Sequence, residues 1–129
     1  MAFKVTAAHH VSVLCTDFDR SREFYTDILG LEEIPKPVTF NFDVVWYRLG
    51  DLQIHLVPSD SPDTPALRHF ALQVDHTDGA RASLRDHGCV VEDTSPIGLF
   101  PAIPDVDRFF TRDPDGNRIE IMHFPLTDG

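Results

Sequence analysis

The chain has 129 residues, of which 42% are hydrophobic and 25% are charged, a composition typical of one folded globular domain and not of a disordered segment. Its 21 acidic and 11 basic residues give a formal charge of -10, which disfavours nucleic acids and acidic membrane surfaces as partners. The sequence contains no apolar stretch of membrane-spanning length and no secretory signal pattern, so we expect a cytoplasmic protein with reduced Cys15 and Cys89.

The first half of the chain predicts a strand, a helix and three further strands. Residues 9–16 alternate between polar and apolar side chains, which indicates a strand. Asp17 or Asp19 can cap the helix that follows, and Gly30 marks its end. The next strand candidates are 31–35, 43–49 and 52–58, the last two joined by a tight turn.

The second half repeats this order after a loop at 59–65. A strand is predicted over 67–75, followed by a helix that starts at Thr77 or Asp78 and ends at Gly88. Strands over 89–93, 107–113 and 117–124 complete the repeat, with an apolar, proline-rich loop, a candidate lid, over 94–105. We therefore expect one domain over 1–129, built from module one (about 7–58) and module two (about 67–125).

Four polar side chains recur at matching places in the two modules: His10, His55, His69 and Glu120. Each lies on the face of its strand opposite the apolar residues, so all four are able to face one shared concavity. Imidazole and carboxylate suit a divalent metal ion, and Zn, Ni, Co, Mn and Fe all accept them. The alternative is that each is an ordinary polar residue on a solvent-facing strand.

Aromatic residues near these four are candidates for substrate contact or for the core. Trp46, Phe100 and Phe109 are the predicted substrate-binding residues, with Phe40 and Phe42 as further candidates. His9 adjoins His10 and His123 lies near Glu120 in the sequence, so both are candidates for supporting contacts. The turn Asp113-Pro114-Asp115-Gly116-Asn117 combines the residues that a tight turn requires, and we expect it to set the register of Glu120.

The segments HHVSVLCTDFDRSREFYTDILGLEEI, RHFALQVD and DPDGNRIEIMH resemble the vicinal oxygen chelate superfamily, which includes glyoxalases, fosfomycin and bleomycin resistance proteins, epimerases and extradiol dioxygenases. The resemblance implies an α+β fold in which paired βαβββ modules form a cupped mixed β-sheet with helices on the outer face. It also implies a homodimer that binds a small-molecule substrate. His10, His69 and Glu120 match three metal-ligand positions of the superfamily, whereas His55 stands where glyoxalase I enzymes carry a glutamate.

The sequence leaves three functions open. The first is a metal-dependent lyase or isomerase of glyoxalase type, in which Glu120 and His55 are the catalytic candidates for proton transfer through a metal-stabilised enediolate. The second is an extradiol-type Fe(II) dioxygenase, which needs only two histidines and one carboxylate. The third is a metal-free protein that binds a drug. Three imidazoles and one carboxylate leave a divalent ion with about one net positive charge, which favours anionic oxygen ligands.

Overall fold

The structure is a computed structural model that describes residues 2–36, 43–62, 68–93 and 107–123. It divides into two compact units, Met1–Pro62 and Asp63–Gly129. Phe40, Phe42, Phe100 and the candidate lid at 94–105 lie outside the described residues. That the two modules form a single domain stays a prediction.

In the first unit, a four-stranded sheet carries one helix. Strand β1 (His10–Cys15) precedes α1 (Phe18–Arg22), which continues as a π-helical segment (Glu23–Ile28). Three strands follow: β2 (Glu32–Ile34), β3 (Val45–Leu49) and β4 (Leu52–Pro58). The order across the sheet is β1-β4-β3-β2, with β1 parallel to β4 and the other neighbours antiparallel.

The helix begins and ends where the sequence predicts. Of the two predicted caps it is Asp17 that acts, because its carboxylate accepts a hydrogen bond from the Arg20 main-chain N–H at 3.1 Å. The wider π-helical turn places the Leu29 N–H on the carbonyl of Phe24, five residues earlier, at 2.9 Å. Gly30, with φ at 73°, follows directly.

The core of the first unit lies between this helix and one face of the sheet. Tyr25, Tyr47, Ile54 and Leu56 are completely buried there. Thr26 Oγ1 and the Tyr47 hydroxyl share a hydrogen bond of 2.8 Å, which ties the helix to β3. Because side chains alternate along each strand, His10 and His55 project from the opposite, polar face.

In the second unit, a three-stranded sheet carries the second helix. The elements are β5 (His69–Gln73), α2 (Thr77–Asp86), β6 (Asp107–Arg112) and β7 (Arg118–His123). The strand order is β5-β7-β6, with β5 parallel and β6 antiparallel to β7. Helix α2 begins at Thr77, and His76 caps it by accepting a hydrogen bond from the Gly79 N–H at 2.9 Å.

The strand predicted over 89–93 is wrong within the described residues. Only Glu92 pairs there, through two main-chain hydrogen bonds of 2.8 Å with Phe110 of β6. The chain leaves α2 through Gly88, and Cys89 donates its N–H to the Leu84 carbonyl, so this part of the segment still closes the helix. The main-chain N–H of Cys89, at the start of this segment, therefore bonds to the end of α2 and not to the sheet.

The predicted turn between β6 and β7 forms as expected. The Asp113 carboxylate accepts hydrogen bonds from the main-chain N–H groups of Asp115 and Asn117, at 3.0 and 2.9 Å, and from the Asn117 side-chain amide at 2.8 Å. Gly116 adopts φ of 85°, a left-handed conformation in which any other L residue would be strained. This turn fixes the pairing that places Phe110 opposite Glu120.

The α+β fold agrees with the sequence prediction, and the first unit has the predicted βαβββ order, whereas the described residues of the second unit form a βαββ order with an isolated bridge at Glu92. Helix α2 covers the face of the second sheet that carries Phe109, Ile119 and Ile121, all of which are buried. No helix in the described part of the chain is both long and apolar enough to cross a membrane.

Candidate metal and substrate site

The polar face of the first unit carries a stack of aromatic rings. His55 lies between two of them: the Trp46 ring at a centroid distance of 4.1 Å and an angle of 6°, and the His10 ring at 4.1 Å and 14°. Pairing of β3 with β4 places Trp46 directly opposite His55, which explains their contact. The predicted residues His10, His55 and Trp46 therefore lie together.

Both histidines of this face have a hydrogen-bonding neighbour. His55 Nε2 lies 2.8 Å from the Gln53 side-chain oxygen, and the Nδ1 atoms of His9 and His10 lie 2.8 Å apart. The sequence pattern did not identify Gln53 as a site residue. Gln53 nevertheless precedes His55 by two residues on the same strand, so both side chains are on one face. His9, predicted as a supporting residue, is in direct contact with His10.

His55 is neutral at physiological pH. Burial, followed by the nearby charges of His10 and His9, lowers its pKa to about 4. Only 7% of the residue is exposed. A neutral imidazole retains an unprotonated ring nitrogen, which is what a metal ion or a transferred proton requires.

The polar face of the second unit gathers charged side chains around Glu120. Arg108 Nη1 donates a hydrogen bond to Glu120 Oε1 at 3.1 Å, and His69 Nε2 lies 3.9 Å from the same oxygen. The side chains of Glu120 and Arg108 are 10% and 20% exposed, so this ion pair is screened little by water. The predicted pair His69 and Glu120 thus lies together, and Arg108 joins it.

The aromatic residue on this face is Phe110. Its ring meets His69 edge to face at 5.2 Å and lies beneath the guanidinium of Arg118 at 3.6 Å. Phe109, which we predicted as a substrate-binding residue, points to the opposite face, where it is completely buried under Arg81 of α2. The Asp113 turn pairs β6 with β7 so that Phe110, and not Phe109, lies directly opposite Glu120. Because alternate residues of a strand face the same side, Phe110 shares the face of Glu120.

The two units present their predicted ligands at equivalent register positions. In the first unit His55 pairs with Ser12, two residues after His10, and in the second Glu120 pairs with Ala71, two residues after His69. An aromatic residue lies opposite the later ligand in both units, Trp46 in one and Phe110 in the other. The repetition seen in the sequence therefore extends to strand register.

The donor atoms of both pairs suit a divalent transition-metal ion. His69 Nε2 and Glu120 Oε1 are too far apart for a hydrogen bond, but their separation fits two ligands that each bind one ion at about 2.0–2.2 Å. Within the described ranges, no group of three or more His, Cys, Asp or Glu side chains is gathered closely enough to hold a metal ion. His123 points away, toward the main-chain carbonyl of Val74 at 3.0 Å.

Comparison with known proteins agrees with this description. The family model of the Glyoxalase/Bleomycin resistance protein/Dioxygenase superfamily matches residues 7–121, and the chain belongs to that superfamily. The chain is 31% identical to Glyoxylase I 4 of Arabidopsis thaliana, with 92% of this chain and 71% of that protein covered. It is 32% identical to the uncharacterized protein YaeR of Escherichia coli, with 88% and 92% covered.

A solved structure shows the same fold. A Bacillus anthracis protein described as a possible member of the glyoxalase family superimposes with a TM-score of 0.82 at 31% sequence identity, covering 96% of this chain and 99% of that one. Superfamily membership, which the sequence motifs indicated, is thereby confirmed.

Proposed function

We propose that this protein is a divalent-metal-dependent enzyme of glyoxalase type that acts on a small, oxygen-chelating substrate. In this proposal His10, His55, His69 and Glu120 supply the metal ligands. The proposal rests above all on one observation, the equivalent register of the His10–His55 and His69–Glu120 pairs. Polar residues scattered over solvent-facing strands have no reason to repeat at the same register in both units.

The chemistry requires a proton to move between two adjacent carbons of the substrate. A bound metal ion would stabilise negative charge on the substrate oxygens. Glu120 is the proposed base, because it is the carboxylate of the set and Arg108 holds one of its oxygens in a fixed position. His55, being neutral, is the second candidate for holding a proton.

The charges of the second unit support an anionic substrate. The chain as a whole is strongly acidic, but three arginines, Arg108, Arg112 and Arg118, occupy the same face of the sheet as Glu120. Guanidinium groups recognise carboxylates, phosphates and phosphonates through paired hydrogen bonds. We therefore propose a substrate that carries an anionic oxygen group beside its chelating oxygens.

One observation favours a second candidate, the extradiol-type dioxygenase. His55 is the more enclosed histidine of its pair, lying between Trp46 and His10 and bonded through Nε2 to Gln53. Without His55, the ligand set would be two histidines and one carboxylate, which suits Fe(II) with open positions.

The two candidates separate in one set of experiments. Protein purified anaerobically would be loaded in turn with Zn, Ni, Co, Mn and Fe(II), and its metal content measured. Each form would then be tested for conversion of a methylglyoxal hemithioacetal and for oxygen uptake with catechols. Conversion of the hemithioacetal supports the proposal, whereas oxygen uptake by the iron form alone would replace it with the dioxygenase. A folded protein that binds none of the metals would contradict both.

Single substitutions test the ligand set. We expect His10→Ala, His69→Ala and Glu120→Ala to abolish metal binding and His55→Ala to weaken it. His87→Ala, at an exposed histidine beyond the end of α2, is the matched control and should bind metal normally. Full metal retention by Glu120→Ala would contradict the proposed ligands. The homodimer implied by the family resemblance stays a proposal, which light scattering of the purified protein would test.

A further inference from the structure

We propose that Gln53 and His9 are positioning residues, which determine the ring nitrogen that His55 and His10 offer to a metal ion. This inference rests on the proposed metal-dependent function. It adds that His55 offers Nδ1 and His10 offers Nε2, each because the other nitrogen of its ring is engaged by the neighbouring side chain.

The tautomer of His55 follows from its contact with Gln53. The side-chain oxygen of Gln53 is purely an acceptor, so at 2.8 Å the His55 Nε2 must carry the hydrogen that forms the bond. A neutral imidazole has one ring N–H, and because the hydrogen bond places it on Nε2, Nδ1 of the neutral ring is unprotonated. The lone pair able to bind a cation is then on Nδ1.

The aromatic stack prevents the His55 ring from exchanging its two nitrogens. A half-turn about the Cβ–Cγ bond would swing the ring out of its plane, into Trp46 on one face and His10 on the other. Both rings lie at 4.1 Å and nearly parallel to His55, which leaves little room for that rotation. The hydrogen bond therefore selects the tautomer, and the stack holds the orientation.

His9 acts on His10 in the same way through a different atom. The two Nδ1 atoms lie 2.8 Å apart, so one carries a hydrogen and the other accepts it. A metal ligand must present an unprotonated nitrogen, and His10 has only Nε2 left for this role. Of the two directions that this contact allows, only donation from His10 Nδ1 to His9 leaves Nε2 of His10 unprotonated for the proposed metal ion, and His9 then carries its own hydrogen on Nε2.

Nitrogen NMR of the metal-free protein reads these tautomers directly. Long-range ¹H–¹⁵N correlation spectra at pH 8, above the ordinary imidazole pKa of about 6.5, distinguish Nδ1–H from Nε2–H rings. Two other histidines are internal references: His76 accepts at Nδ1 from the Gly79 N–H, and His87 donates from Nδ1 to the Ser83 carbonyl. We expect His55 to match His76, and His10 to match His87.

Substitutions then test cause and effect. Gln53→Leu removes the acceptor and should shift His55 away from the pure Nε2–H pattern, whereas Gln53→Glu retains an acceptor and should preserve it. His9→Ala, at an exposed residue that precedes β1, should shift His10 away from the Nδ1–H pattern and leave the pattern of His55 unchanged. Dispersed amide spectra of each variant establish that it is folded.

Zinc titration of the same variants gives the second measurement. We expect Gln53→Leu and His9→Ala each to weaken zinc binding about 10–100-fold, the range for lost supporting contacts, and Gln53→Glu to stay near wild type. An Nδ1–H pattern for His55 in the wild-type protein would overturn the inference even if zinc binds. If the tautomers are as expected but zinc does not bind, the inference also fails, because the nitrogens then have no metal ion to bind. In that case the error lies in the proposed metal-dependent function and not in the tautomers.

Discussion

Replacing Asp113 by alanine should destabilise the second unit and disturb Glu120 at the same time. The Asp113 carboxylate is the common acceptor for the N–H groups of Asp115 and Asn117 and for the Asn117 side chain. All three residues are buried. Without the carboxylate, two main-chain N–H groups in this turn lose their acceptor.

The magnitude follows from these contacts. Each buried N–H that loses its acceptor costs about 1–3 kcal/mol, and hydrogen bonds to a charged group are at the upper end of the range. We therefore expect Asp113→Ala to lower the free energy of unfolding by about 4 kcal/mol, a large part of the 5–15 kcal/mol of a typical domain. Asp113→Asn keeps one acceptor oxygen and should lose about half as much, about 2 kcal/mol.

Urea unfolding followed by circular dichroism measures these losses, and zinc titration below the unfolding midpoint measures the effect on Glu120. Asp51→Ala is the matched control, since Asp51 is the exposed acidic residue in the β3–β4 turn of the first unit. It should change the free energy of unfolding by less than about 0.5 kcal/mol. If Asp113→Ala were as stable as Asp51→Ala, the turn would not fix the register of Glu120 as we infer.

Three further predictions concern stability. The pKa of His55 falls to about 4 on folding, from about 6.5 in the unfolded chain, so the unfolded state binds more protons between these two pH values. The free energy of unfolding should therefore fall by about 3 kcal/mol as the pH drops from 6.5 to 4. Urea unfolding of His55→Phe should lack this pH-dependent loss. Tyr47→Phe removes the hydrogen bond to Thr26 and should cost about 1 kcal/mol by the same measurement. Arg81→Ala removes the ion pair with Asp107 at 2.8 Å and the contact with the Phe109 ring, and it should lower the free energy of unfolding by about 2 kcal/mol. Thermal unfolding measures this loss, and an unchanged midpoint temperature would contradict the role of Arg81 in joining α2 to β6.

The elements that the sequence predicted well have local physical causes. Strand β4 has the predicted bounds, 52–58, because polar and apolar residues alternate from Leu52 to Leu56 and the strand ends at Pro58. The Asp17 cap and the turn at Asp113 also depend on residues close together in the chain. Sequence patterns encode such local hydrogen bonds directly.

The predictions that failed depend on contacts between distant residues. The segment 89–93 has the composition of a strand, but only Glu92 finds a partner on β6. Phe109 and Phe110 are chemically identical neighbours, and only the pairing of β6 with β7 decides which one faces Glu120. The roles of Gln53 and Arg108 depend likewise on side chains that converge after folding.

The sequence by itself determined which strand faces are polar, and hence that His10, His55, His69 and Glu120 lie on the faces opposite the helices. It could do so because the strand period of two residues fixes each side chain's face from its position alone. Only the tertiary structure decided the register between strands, and with it the equivalence of the two pairs, the stack of Trp46 on His55 and the contact of Arg108 with Glu120. Register is set by pairing between segments far apart in the chain, where packing and turn geometry act together.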